Sequence, residues 1–181
     1  MHESTKKLTV SAMLLAIAVI LLYLGNVVES STVFFLALAA FCTGIIQREY
    51  GIKSGWVFWI ANMLLGFIVV PQKLYMVTFA VFSLYILLTE MAWGCLCRRV
   101  EENKRNWLFI FIRLAVFNVM YLPLVLGMPK LFLGEGLLMK AGNLLYPVLL
   151  LGGQLFLFLF DRAYVYFQGV IWERIRRAIK L

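Results

Sequence analysis

Six apolar runs, separated by short stretches that hold nearly all the charge, decide what this chain can fold into. The runs are Leu8–Val28, Val33–Ile46, Gly55–Val70, Leu74–Trp93, Trp107–Met128 and Ala141–Phe160. Crossing a hydrocarbon core of about 30 Å takes roughly 20 helical residues. The second run is short and borrows flanking residues, so helices are expected near 8–28, 30–48, 55–70, 74–95, 107–128 and 141–160. Inside lipid every backbone N–H and C=O must be paired within the protein, which a helix achieves alone and an open strand does not. The alternating ten-residue segments of a membrane barrel are absent. With 64% hydrophobic residues and a mean hydropathy of +0.92, the 181 residues carry too little polar surface for a soluble domain. No repeat, linker or low-complexity segment divides the chain. The expectation is an all-α membrane protein: one integral membrane domain, 1–181.

Lysine and arginine orient it. Thirteen lie in the N-terminus, the second and fourth connections and the tail: Lys6, Lys7, Arg48, Lys53, Arg98, Arg99, Lys104, Arg105, Arg162, Arg174, Arg176, Arg177 and Lys180. The remaining connections hold only Lys73, Lys130 and Lys140, and Arg113 lies inside the fifth run. Cytoplasmic loops are enriched in these residues, so six spans with both termini inside are expected. The first run is longer than a signal-peptide core, which favours an uncleaved helix over cleavage after Val28 and Ser30. The net charge of +8 is thus a topology signal, and a basic face for nucleic acid is not expected. The tail, 161–181, reads as an amphipathic helix on the anionic inner surface. Tyr164, Gln168, Ile171, Ile175 and Ile179 lie near one of its faces.

The chemistry of catalysis is sparse. The sole histidine is His2 and the sole aspartate is Asp161. No HExxH, G-x-S-x-G or P-loop motif occurs. Cys42, Cys95 and Cys97 suggest neither a disulfide framework nor a metal site. The expectation is a protein that is no enzyme, with no catalytic residues, no cofactor and no metal.

Polar groups inside the runs are the better guide, since burying them in lipid is costly. Glu90, late in the fourth run, and Arg113, early in the fifth, fall at similar depth and are expected to form a structural ion pair. The outer halves of the last three helices carry Tyr75 and Thr78, Asn118 and Tyr121, then Lys140, Asn143 and Tyr146, each set at helical spacing. Asn26 and Glu29 close the first helix on the same side. Pro123 and Pro147 free the carbonyls of Val119 and Asn143 there. Tyr75, Thr78, Asn118, Tyr121, Lys140, Asn143 and Tyr146 are the expected small-molecule site. An aromatic belt with interhelical hydrogen bonds is the structural alternative.

The opening "KKLTVSAMLLAIA" supplies Lys6, Lys7, Ala12 and Ala16: a basic lead followed by Ala-x-x-x-Ala. Further on, Tyr50-Gly51 precedes a helix, and Pro71-Gln72-Lys73 precedes an aromatic-rich one. In these features and in its hydropathy the chain resembles the S components, the substrate-binding subunits of energy-coupling-factor transporters. It also resembles small bacterial membrane proteins of that style, which have Pro-Asn-Lys where this chain has Pro-Gln-Lys. The resemblance implies an S-component-like six-helix bundle in a bacterial plasma membrane that captures a small molecule such as a vitamin. It also implies that Ala12 and Ala16 admit the coupling helices of a T component joined to two ATPases. Small residues equally suit packing inside the domain. The alternative function is a non-catalytic scaffold of a cell-envelope complex, such as the rod-shape membrane proteins that organise wall synthesis.

Overall fold

A computed structural model describes residues 2–99, 102–127 and 145–179, with side chains from 5 to 28, 30 to 98, 104 to 123 and 150 to 177. It is helical, with no strand among the described residues. The elements are α1 (His2–Val27), a 3-10 turn (Glu29–Ser31), α2 (Thr32–Tyr50), α3 (Ile52–Val69), α4 (Lys73–Arg99) and α5 (Glu102–Gly127). After these come α6 (Leu145–Tyr166), a π-helical stretch (Phe167–Trp172) and α7 (Glu173–Ile179). Among the described residues six helices are long and apolar enough to cross a membrane, as in a multi-pass membrane protein. The helices run past the apolar runs of the sequence into charged residues, as α4 does at Lys73 and Arg99.

Two compact units form, 1–112 and 113–181, with the boundary inside α5. The first is built around α2, which packs against α1, α3 and α4. On α1 the inward stripe is Val10, Leu14, Ala18 and Leu22, each four residues from the next, so one side of the helix enters the core. Thr32 closes the α1–α2 corner by donating its hydroxyl to the Gly25 carbonyl, at 2.7 Å. The α2–α3 corner is a single residue. Gly51 has φ 86° and ψ 172°, a conformation essentially reserved to glycine, and that lets α3 start at once. Tyr50-Gly51 is therefore a hinge of backbone geometry. On α3 the buried residues Gly55, Phe58, Asn62 and Gly66 share one face.

The second unit contains the rest of α5 with α6, the π-helical stretch and α7. Pro123 lies within α5. The sixth helix does not end near 160. It runs to Tyr166 and continues through the wider i→i+5 turns, and the apolar window is Leu150–Arg177. The face expected for the tail changes accordingly. Tyr164, Gln168 and Trp172 are buried, while Ile171 and Ile175 are 40% and 39% exposed. The π-helical turns advance the register, so Trp172 takes the inward position that regular α spacing assigns to Ile171. Gln168 donates to the Tyr164 hydroxyl at 3.3 Å along this buried side. Ile179 has no described side chain.

Candidate functional site

The best-defined polar arrangement in the second unit joins α5 to α6. Three levels repeat along the antiparallel hairpin. At the first, the Arg113 guanidinium donates to the Asp161 carboxylate, each side chain about one-fifth exposed. At the second, the Asn118 amide nitrogen donates to the Leu114 carbonyl at 2.8 Å, and its oxygen accepts from Gln154 Nε2 at 2.8 Å. At the third, Gly153 lies under the Tyr121 ring, which stacks on Phe117 at 5.0 Å between centroids. A Cβ on Gly153 would come within 2.5 Å of that ring. Asn118 and Tyr121 thus share one face of α5, as their spacing implies. Asn118 reaches across to Gln154 and Tyr121 to Gly153, and their other described contacts lie within α5.

Gln154 is the residue that reading the sequence missed. The signal that could have found it is an amide amid leucines, next to Gly152 and Gly153.

Tyr75 and Thr78 stand at the start of α4 in the first unit, both half-buried. Thr78 donates to the Leu74 carbonyl at 3.4 Å. Lys140 and Asn143 lie outside the described residues. Tyr146 falls in α6, with its side chain outside them, and so does the Glu29 side chain. Asn26 is half-buried, and its Oδ1 is enclosed without a hydrogen bond.

Lys73 has a local explanation. Its ammonium donates to the carbonyls of Phe67 (2.5 Å) and Val70 (3.0 Å) and lies 4.5 Å from the Phe67 ring centroid. It therefore caps the C-terminal end of α3, where carbonyls lack helical donors and the helix dipole favours a cation. The Pro71-Gln72-Lys73 motif closes the α3–α4 corner.

Glu90 and Arg113 each have a partner within their own unit. Glu90 accepts from Arg48, with contacts of 2.5 and 2.8 Å, which ties α4 to the end of α2. Gln47, next to Arg48, donates to the Leu87 carbonyl at 3.1 Å. Arg113 takes Asp161. The expected Glu90–Arg113 pair would join the two units, each of which is described by itself. Among the described residues no three His, Cys, Asp or Glu side chains gather into one group.

Ala12 and Ala16 are exposed. They lie off the inward stripe, beside Leu8, Met13, Ile17 and Ile20, which are 72%, 56%, 45% and 57% exposed. Of the α1 alanines, Ala18 is the one that packs inside.

Comparison with known proteins gives no match: no family model, no curated protein and no solved structure aligns significantly with this chain.

Proposed function

We propose that this chain is the membrane-embedded substrate-binding subunit of an ATP-driven importer of energy-coupling-factor type, taking a small molecule such as a vitamin or related micronutrient. On this reading it sits in a bacterial plasma membrane with both termini in the cytoplasm. It catalyses nothing itself. A T component and two ATPases supply the work.

The observation that carries the reading is the exposure of Ala12 and Ala16. A helix that keeps small residues on its outward side lets another helix approach closely. The core side of α1 has its own small residue in Ala18, and packing inside the α1–α4 unit does not use the outer pair.

A second reading has its own support. Asn118 is bonded at both ends of its amide, and Tyr121 covers Gly153. Polar groups that hold a hairpin together suit a non-catalytic scaffold of a cell-envelope complex, with no ligand.

Ala12→Trp and Ala16→Trp test the first reading. The isolated variants should melt with the parent, because the bulk projects away from the core. Co-purification with the T component, and uptake with it, should be lost. Lower melting of the isolated variants would count against a docking face. Mass spectrometry of small molecules carried through purification separates the two readings. A retained compound favours the importer, and a bare protein that co-purifies with wall-synthesis proteins favours the scaffold.

A further inference from the structure

Within the α1–α4 unit one amide is at odds with its surroundings. Asn62 is 0% exposed, and neither Nδ2 nor Oδ1 has a hydrogen-bond partner. Thr43 on α2 is also 0% exposed, with Oγ1 unpartnered. Leaving a buried polar group unmet is costly, so such groups need a reason.

The helix register brings these two together. Gly55 faces Gln47 so closely that a Cβ there would lie 2.8 Å from the Gln47 Cβ. Asn62 is seven residues beyond Gly55 on the same face of α3, and Thr43 is four residues before Gln47 on the same face of α2. At about 1.5 Å per residue, Asn62 stands about 10 Å along from the Gly55 level and Thr43 about 6 Å, a difference of about 4–5 Å. Helical side chains tilt toward their own N-terminus, and α2 and α3 run in opposite directions. The Asn62 side chain therefore leans toward the Thr43 level, and the Thr43 side chain leans toward the Asn62 level.

The remaining walls of this level are small or closed. The Leu22–Gly66 approach places Ala18 beside Asn62. The Met76–Gly66 approach and the 2.8 Å bond from Trp59 to Ser83 place Phe79 there. Ala18, Ala39, Ala40 and Phe79 are all 0% exposed.

We propose that one internal water molecule is bound between α2 and α3, bridging the Asn62 amide and the Thr43 hydroxyl. Water fits the chemistry. It donates and accepts, and it needs two to four polar partners. Asn62 offers one donor group and one acceptor, and Thr43 offers a hydroxyl that serves as either. Gln47 Oε1, also enclosed and unpartnered one turn away, lies on the same polar track.

The direct test is a crystal structure of the whole chain from a lipid mesophase, at a resolution that shows ordered water. Density within about 3 Å of both the Asn62 amide and Thr43 Oγ1 is expected. A direct Asn62–Thr43 bond with nothing between, or density too large for water, overturns the proposal. A second measurement uses Asn62→Leu, Thr43→Val and the double variant in detergent. Each single change strands the water's other partner and should lower Tm by about 2–4 °C. The double change removes both partners, and its Tm should return toward the parent's. Additive losses overturn the shared water.

Discussion

The α1–α4 unit and the α5–α6 hairpin solve the same problem with different materials. Lipid tails are as apolar as leucine, so burying apolar surface does not by itself draw membrane helices together. In the first unit the answer is close approach. Ala18, Ala39, Ala40, Gly55 and Gly66 let helices come near enough for dispersion contacts, and 61% of the apolar window of α2 is buried. The corresponding share for α5 is 6%. Its described links to α6 are an ion pair, an amide–amide hydrogen bond and one ring over a glycine. A unit packed through small residues tolerates little added volume. A unit pinned by polar pairs is sensitive to the loss of single atoms.

The sharpest break of that comparison is in the hairpin. Asp161→Asn takes the carboxylate from Arg113 at a site where both side chains are mostly enclosed. Removing one member of a buried pair costs about 3–5 kcal/mol, much of it the cost of the charge left behind. Arg113→Gln with Asp161→Asn should be milder than the two single losses added together. The measurement is thermal unfolding of the four proteins in one detergent. Additive losses would mean that the contact contributes little. The same cycle on Arg48 and Glu90 should show weaker coupling, because Arg48 is 42% exposed and its charge is better screened.

The next effect belongs to the first unit and contrasts two glycines. Gly55→Ala puts a methyl 2.8 Å from the Gln47 Cβ, an atom fixed to the α2 backbone. The helices must part, and overpacking of this kind typically costs about 1–3 kcal/mol. Gly66→Ala meets Met76 Cε at 2.6 Å, the far end of a flexible side chain that can turn aside. Gly55→Ala should therefore lower the melting temperature clearly more than Gly66→Ala. Equal losses would mean that the α2–α3 separation adapts as easily as a methionine does.

These contrasts show which features can be read from the residues. The six long apolar helices found among the described residues were legible because a bilayer forces backbone pairing and leaves long apolar windows in a sequence. The observed bounds differ from the expected ones mainly where helices continue into polar residues, as at Lys73–Arg99. The helix beyond Phe160 was misread because Asp161 and Arg162 look like a terminus. Asp161 instead meets Arg113, and the helix continues. The meeting of Arg48 with Glu90 depends on how the end of α2 packs against α4, where Gln47 also meets the Leu87 carbonyl, and no depth within a run contains that. Ala12 and Ala16 were visible as a pair on one face. Which way that face points depends on tertiary packing, and no spacing within α1 contains that. The expected small-molecule site draws on both units and on Lys140 and Asn143. Of its members, Asn118 and Tyr121 have described contacts between α5 and α6.

The smallest effect is also the one that bears most on that site. Interhelical hydrogen bonds in membranes are weak on average, about 0.6 kcal/mol and at most about 1.7, because each group finds other partners when the helices separate. Gln154→Leu removes the donor that meets Asn118 Oδ1 and leaves the bond from Asn118 to the Leu114 carbonyl intact. Asn118→Leu removes both. If Asn118 serves only the hairpin, Gln154→Leu should cost a fraction of a kcal/mol, and Asn118→Leu added to it should cost little more. If Asn118 also recognises a ligand, the two variants should divide by readout. Gln154→Leu frees the Asn118 oxygen and should leave a retained small molecule in place, whereas Asn118→Leu should lose it at nearly unchanged melting temperature. Thermal unfolding beside mass spectrometry of extracted small molecules reads both quantities from one preparation. Loss of the compound in both variants, with equal loss of stability, would make it a reporter of hairpin integrity and remove Asn118 from the proposed site.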